Sequence, residues 1–227
     1  KRRIGFIPDD LYFFASYTLK EMAAFIRKLY PKWNAERFES MCSRFNLDKN
    51  RKLSKFSKGM QKQAAFTLNM SIMPDWLILD EPIDGLDPIV RKIVWKYIVD
   101  DVAERDMTVL VSSHNLREME GICDSIGILT KGHLVMERDL DELKNDIHKV
   151  QVAYTKPVEN PYEGLNIVHK ESRGAVDLLI VRNNRETVEK IIGASDPAIF
   201  DLLPLSLEEI FIYELGGVDH EIQGIIF

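Results

Sequence analysis

The sequence contains very little cysteine and no long apolar run. Only Cys42 and Cys123 occur among 227 residues, and neither belongs to a CxxC pair. Zinc, redox and disulfide-scaffold chemistry are therefore not expected, and a reducing, cytosolic setting fits best. No apolar stretch approaches the roughly 20 residues that a membrane-spanning helix needs, and no signal-peptide core is present.

An excess of basic residues is also lacking. The chain has 36 acidic against 30 basic residues, which gives a net charge of -6. A general nucleic-acid binder would show a basic excess over the domain, because it must neutralise phosphates. We therefore expect no nucleic-acid partner.

Short apolar runs alternate with segments of helical periodicity in the first two thirds of the chain. Trp76–Leu79 and Thr108–Val111 predict strands buried on both faces of a parallel sheet. Thr18, Asn34 and Pro88 mark the starts of helices. The pattern predicts an α/β sheet whose site lies at the carboxyl ends of the strands.

The character of the sequence changes near residue 147. Strand patterns at Val150–Tyr154, Leu165–His169 and Val176–Val181 precede a helix at Arg185–Ile192. We predict a small α+β accessory domain over residues 147–227, and a main domain over residues 1–146.

The segment WLILDEPIDGLDP, residues 76–88, carries the strongest chemical signal. An apolar strand that ends in Asp80 and Glu81 places two carboxylates at the mouth of a parallel sheet. One carboxylate suits Mg²⁺, and the other can orient or deprotonate a water molecule. The competing interpretation is a strand followed by an ordinary acidic loop. The Pro82 turn and the GLDP extension make the pattern more specific and favour the functional interpretation.

Two further motifs are ambiguous when each is taken alone. In FSKGMQKQ, residues 56–63, a serine and a glycine precede a helix, which suits either an anion or a plain N-cap. In VLVSSHNL, residues 109–116, His114 follows a strand, where it could contact a phosphate or be a structural surface residue.

The order of the three motifs resembles the ATP-binding-cassette family: the signature motif, then the Walker B segment with its D-loop, then the switch histidine. The resemblance covers about residues 3–146. It implies a P-loop NTPase core with a helical subdomain over roughly residues 11–73. It also implies that two cassettes face each other, so that the signature of one completes the ATP site of the other.

Carried over by position, the resemblance implies a role for each motif residue. Asp80 would serve Mg²⁺, Glu81 would polarise the attacking water and His114 would sense the γ-phosphate. On the partner's ATP, the implied contacts are Ser57, Gly59 and Gln61, and Asp87 would organise the dimer interface. ATP and Mg²⁺ are the implied cofactors.

This sequence departs from the family pattern at two important places. Asp9, in IGFIPDD, stands where the family usually carries a glutamine, which puts that residue's switching role in question. The phosphate-binding loop GxxxxGK[ST] does not occur among the 227 residues, which begin at Lys1 without an initiator methionine. We therefore expect an N-terminally truncated fragment that neither binds ATP tightly nor hydrolyses it alone.

The sequence as a whole predicts an energy-coupling ATPase subunit of a bacterial drug-export-like transporter. Its expected partners are a second cassette and membrane-spanning permease subunits, at the cytoplasmic face of the membrane. The aromatic cluster formed by residues 12–14 and Tyr17 would either dock on a permease or pack within the helical subdomain. The alternative function is a degenerate or soluble cassette module that acts on ribosomes or DNA.

Overall fold

The computed structural model describes residues 2–215, with the side chains of 214 and 215 left aside. Packing divides the chain into two compact units, residues 1–114 and residues 115–227. Each unit is described by itself below. The boundary expected near residue 146 and the limits of the helical subdomain stay predictions, and residues 216–227 of the expected accessory domain lie outside the described part of the chain.

The described part of the first unit combines a three-stranded parallel sheet with four α-helices and a short 3-10 helix, Leu53–Lys55. Its strands, in the spatial order β1-β2-β3, are β1 (Ile4–Ile7), β2 (Trp76–Asp80) and β3 (Thr108–Ser112). Its helices are α1 (Leu19–Leu29), α2 (Ala35–Arg44), α3 (Lys58–Ser71) and α4 (Pro88–Arg105).

Capping side chains start the helices where the sequence predicts them. Thr18 forms a capping box with Glu21 at the start of α1, and Asn34 accepts a hydrogen bond from the backbone of Arg37 at the start of α2. Each cap satisfies N–H groups that have no partner within the helix, which typically contributes about 1 kcal/mol. Helix α4 begins with Pro88, whose missing N–H costs nothing at a first position.

Among the described residues, one face of this sheet is buried and the other is largely exposed, which corrects the expectation that β2 and β3 are covered on both. Leu77 and Leu79 are fully buried, since α3 contacts the sheet on that side, where Phe6 donates its N–H to Asn69. Each such leucine contributes about 1.5–3 kcal/mol. On the opposite face Trp76 remains 52% exposed and Leu110 65% exposed. A run of apolar residues predicts that a strand is buried. It does not show which element of the fold covers each face of that strand.

The second unit contains a hairpin and a four-stranded antiparallel sheet. The hairpin joins β4 (Ser125–Thr130) to β5 (His133–Asp139), and the sheet has the order β7-β8-β6-β9. Its strands are β6 (His148–Ala153), β7 (Ile167–Arg173), β8 (Val176–Val181) and β9 (Ile199–Leu203). Its helices are α5 (Leu116–Met119), α6 (Leu140–Asp146), α7 (Arg185–Gly193) and α8 (Leu207–Leu215).

The core of this sheet forms where α7 packs on it. Val150, Leu179 and Val181 from the strands meet Val188 and Ile192 from the helix, and all five are fully buried. Among the helices formed by residues 2–215, none has the length and apolar character required to cross a bilayer.

Candidate active site

Polar side chains collect where β2 and β3 end in the first unit. Asp80 and Ser112 are register partners at the last positions of the two parallel strands. The Ser112 hydroxyl donates a hydrogen bond to Oδ1 of Asp80. The predicted placement of Asp80 at the carboxyl edge of a parallel sheet is therefore observed.

Glu81 leaves the strand with a backbone conformation that is unusual for a residue with a side chain. Its φ is +44°, in the left-handed region where Cβ crowds the following carbonyl group. The N–H of Glu81 donates to the carbonyl of Ser112 over 3.1 Å, which ties it to the neighbouring strand. This turn carries the carboxylate toward the residues that follow β3.

The Glu81 carboxylate meets His114 directly. Its Oε1 accepts hydrogen bonds from the backbone N–H of His114 at 2.9 Å, and it lies 2.8 Å from His114 Nδ1. The hydroxyl of Ser113 donates to Oε2 over a longer 3.4 Å. The segment after β3 therefore fixes the position of the carboxylate through three separate groups.

The same contact changes the acid–base behaviour of His114. The hydrogen bond with Glu81 and the charge of that carboxylate raise the pKa of His114 above its ordinary value, and Asp84 and Asp9 contribute in the same direction. The ring itself is exposed. An exposed imidazole whose proton is stabilised can present Nε2–H to an anionic group.

The start of α3 carries the residues of the predicted signature motif. Ser57 is the N-cap, and its Oγ accepts from the backbone N–H of Met60 at 3.2 Å. The amide nitrogen of Gln61 donates to the carbonyls of Leu53 and Phe56, both at 3.2 Å. The N-cap interpretation of Ser57 is thus correct, while its O–H can still donate elsewhere, because a hydroxyl both donates and accepts.

Gly59 allows the start of α3 to approach the loop after Glu81. A Cβ atom at this position would lie 3.2 Å from the carbonyl oxygen of Gly85, tighter than ordinary contact. At the end of that loop, Asp87 caps α4, with its Oδ1 accepting from the N–H groups of Ile89 and Val90. The structure therefore brings the glycine of the predicted signature motif and the predicted D-loop together within one chain.

Asp9 lies in the loop after β1, and it pairs with a lysine that our sequence interpretation missed. Lys62, on the second turn of α3, places Nζ 3.1 Å from Asp9 Oδ1 and 2.8 Å from the carbonyl oxygen of Glu81. Residues 49–74 contain no acidic residue, although the chain is acidic overall. A lysine that is buried in this basic segment must pair with an acidic residue from another part of the chain, and this was the only sequence feature that pointed to such a contact.

The donor set at Asp80 is chemically suited to magnesium. Its carboxylate and the Ser112 hydroxyl are hard oxygen ligands at an exposed edge, and Mg²⁺ usually takes one or two such ligands beside water and phosphate. Among residues 2–215, no group of three acidic, histidine or cysteine side chains converges as a closed metal site. Asp80 and Ser112 therefore stay candidate magnesium ligands.

Comparisons with known proteins show what this chain is similar to. A family model described as "AAA domain, putative AbiEii toxin, Type IV TA system" matches residues 8–120. The ABC transporter ATP-binding protein YtrB of Bacillus subtilis is 32% identical over 217 residues, which cover 96% of this chain and 74% of YtrB. The bacitracin transport ATP-binding protein BcrA of Bacillus licheniformis is 30% identical over 236 aligned positions, covering 95% of this chain and 74% of BcrA.

A solved structure of the ATP-binding subunit of an ABC transporter superimposes on 63% of this chain and 61% of its own, with 26% identity and a TM-score of 0.59. That similarity supports the P-loop NTPase fold predicted from the motifs. Together with the long alignments to YtrB and BcrA, it confirms the resemblance. The chain belongs to the family of ABC transporter ATP-binding subunits, which are P-loop ATPases.

Proposed function

We propose that this chain forms most of an ATP-hydrolysing subunit whose closure on a second cassette drives export through separate membrane-spanning subunits. One observation carries the proposal: the Glu81 carboxylate is held at the strand end, next to Asp80, by the backbone and the ring of His114. A carboxylate fixed in this way is suited to orient one water molecule for attack on a terminal phosphate.

Glu81 has the role of general base in this proposal. Its Oε1 is committed to His114, so Oε2, with its longer contact to Ser113, is the oxygen that faces the water. His114 has two tasks at once, because Nδ1–H stays on Glu81 while Nε2–H can donate to a γ-phosphate oxygen. The raised pKa of His114 favours the doubly protonated ring that this geometry requires.

Asp80 and Ser112 would hold Mg²⁺ in this proposal. The ion supplies charge neutralisation for the phosphate oxygens when it is bound. The contribution of the protein is to keep one carboxylate at the sheet edge, oriented by the Ser112 hydroxyl.

The start of α3 and the D-loop would face the ATP of a partner cassette. Ser57 keeps its O–H available for a phosphate oxygen, and Gly59 leaves the first turn without a side chain in the way. Gln61 stabilises this surface, because its amide nitrogen donates to the backbone carbonyls of Leu53 and Phe56, which precede Ser57. Asp87 orders the end of the D-loop by capping α4.

An exposed aromatic cluster supports a permease as the second partner, at the cytoplasmic face of the membrane. Tyr12 is 93% exposed and Phe14 45% exposed, while Phe13 and Tyr17 are partly buried, and the ring centroids of Phe14 and Tyr17 lie 4.9 Å apart. Of the two interpretations of this cluster, the exposure of Tyr12 and Phe14 favours docking for these two side chains. The naming of BcrA for bacitracin transport fits this membrane role.

An ATPase assay on the complete gene product, with its membrane partner, tests the proposal. Glu81→Gln should abolish turnover and retain bound ATP, because the amide keeps the shape of the side chain and cannot accept the proton. Glu104→Gln, at an exposed position on α4, is the matched control and should turn over normally. Unchanged turnover in Glu81→Gln would refute the assignment of the base.

The same assay separates the proposed function from its alternative. A degenerate or soluble cassette module would show no coupled turnover from the complete gene product. Residues 1–227 by themselves are proposed to be inactive in either case, because they contain no GxxxxGK[ST] segment. Appreciable turnover by this polypeptide alone would contradict that part of the proposal.

A further inference from the structure

Lys62 connects three parts of the first unit through one ammonium group. Its side chain is only 11% exposed. It extends from α3, and Nζ donates to the Glu81 carbonyl oxygen at 2.8 Å and to Asp9 Oδ1 at 3.1 Å. A largely buried ammonium with two oxygen partners holds a defined position, because both contacts are charge-assisted hydrogen bonds.

The backbone of Glu81 needs such a contact. A φ of +44° is unfavourable for a residue with a Cβ atom, and it persists only where neighbouring groups hold it. On one side the N–H of Glu81 donates to Ser112 of β3. On the other side the carbonyl accepts from Lys62, so the peptide groups on both sides of the Glu81 Cα are tied. The direction of the Glu81 side chain follows from that backbone geometry.

Asp9 supplies the counter-charge that keeps Lys62 in place. A carboxylate forms an ion pair with the ammonium, which the neutral amide of a glutamine would not do. The aspartate at position 9 therefore forms an ion pair with the lysine at position 62.

We propose that Lys62 is a positioning residue for ATP hydrolysis, which holds the Glu81 backbone so that the carboxylate points at the water, and that Asp9 keeps Lys62 oriented. This inference rests on the proposed function, in which Glu81 is the base. It predicts that loss of the ammonium lowers kcat while the affinity for ATP is kept, because the proposal assigns Lys62 a contact with the Glu81 backbone and none with the nucleotide.

The test compares Lys62→Met and Lys62→Arg in the complete gene product with its membrane partner. Methionine keeps the apolar stem and removes the donor, so kcat should fall by about tenfold to hundredfold with little change in KM, the size expected for a misplaced catalytic group. Arginine should recover much of the loss, and Asp9→Asn should show a smaller decrease. Lys96→Met, at an exposed position on α4, is the control and should retain wild-type kcat.

A second readout separates positioning from a merely structural role. In the Glu81→Gln background, ATP-driven dimer formation followed by analytical ultracentrifugation should be the same with and without Lys62→Met. If Lys62→Met lowers dimer formation and the melting temperature together with kcat, its role is merely structural and the inference is overturned. An unchanged kcat in Lys62→Met would also overturn it.

Hydrogen exchange keeps the inference testable if the proposed ATPase function itself fails. Without nucleotide, amides over residues 81–86 should exchange about fivefold faster or more in Lys62→Met than in Lys96→Met, the effect of losing one hydrogen bond from the turn. Equal exchange in the two variants refutes the positioning role whatever the ATPase assay shows. Absent turnover in the wild type with faster exchange in Lys62→Met refutes the proposed function alone.

Discussion

The Nδ1 atom of His114 lies 2.8 Å from Oε1 of Glu81, and the backbone N–H of His114 donates to that same oxygen. One oxygen of the Glu81 carboxylate therefore holds His114 in position and also stabilises the protonated form of its ring. This coupling makes the charge of His114 depend on Glu81, although the ring is exposed to solvent.

The first prediction concerns the titration of His114. Its pKa, measured by NMR, should lie above the ordinary value of about 6.5 and should fall toward that value in Glu81→Gln. The folded pKa is raised, so the pair stabilises the fold fully below about pH 6.5, and that contribution is lost as the pH rises through the raised value. The same pKa for His114 in the wild type and in Glu81→Gln would contradict this account.

The second prediction concerns the buried carboxylate of Asp101 on α4. This residue is 2% exposed, and it accepts from Arg37 of α2 at 2.8 Å and from Arg105 at 2.6 Å. Asp101→Ala leaves two largely buried guanidinium groups without their counter-charge. We expect a loss of about 3–5 kcal/mol in the free energy of unfolding, measured by urea denaturation.

The neighbouring Asp100 provides a matched control for that measurement. It pairs with Lys96 one turn away on the same helix, and both side chains are largely exposed. Asp100→Ala should cost only about 0.3–0.5 kcal/mol, because water screens a surface pair. Similar losses at the two positions would show that the contact between α2 and α4 does not depend on the buried charge.

Much of the fold was predictable because local signals decide it. Thr18 and Asn34 cap helices through side chains that bind backbone groups three residues away, so a short window of sequence contains the whole interaction. The exposure of Trp76 was not predictable in this way. All four residues of WLIL are apolar, so the sequence does not show that their side chains alternate between an exposed and a buried face. That difference follows from the helix that covers the side of Leu77 and Leu79.

The candidate site was predictable where a motif is continuous and unpredictable where the contact is long-range. Asp80 and Glu81 follow directly from the strand that precedes them. The contact of Lys62 with Asp9 and Glu81 joins segments that are separated by 53 and 19 positions. No local pattern links such residues, so the sequence analysis did not single out Lys62.

The third prediction uses the close approach of Gly59 to Gly85. Replacing a helical glycine with alanine normally stabilises a protein by about 0.4–1 kcal/mol. Gly59→Ala should not show this gain, because the new methyl group would press on the Gly85 carbonyl oxygen at 3.2 Å. ATP-driven dimerisation of the complete gene product should also weaken, because the start of α3 and the D-loop must separate slightly.

Gly193, the last residue of α7, serves as the control for Gly59. A Cβ atom built at this position has no neighbour within 4 Å among the described residues. Gly193→Ala should therefore give the ordinary gain in urea denaturation and leave dimerisation unchanged. An equal gain at both glycines would mean that α3 can move away from the D-loop without cost.

The fourth prediction concerns His148, at the start of β6. Its Nε2 is buried and has no hydrogen-bond partner among the described residues. Burial lowers the pKa of His148 below its ordinary value, and the positive charge of Arg185 acts in the same direction. The backbone of Asn145 and the carboxylates of Asp146 and Glu189 oppose this shift without reversing it.

A histidine that is kept neutral in the fold makes the protein sensitive to acid. The unfolded chain binds the proton more readily, so stability is complete above about pH 6.5 and is lost as the pH falls toward the lowered value of the folded state. His148→Gln, which cannot be protonated, should flatten the dependence of the urea midpoint on pH over this window. NMR titration should give a pKa for His148 below that of a histidine in an unfolded peptide. If the variant and the wild type lose stability equally on acidification, protonation of other groups causes the loss, and the burial of His148 does not control it.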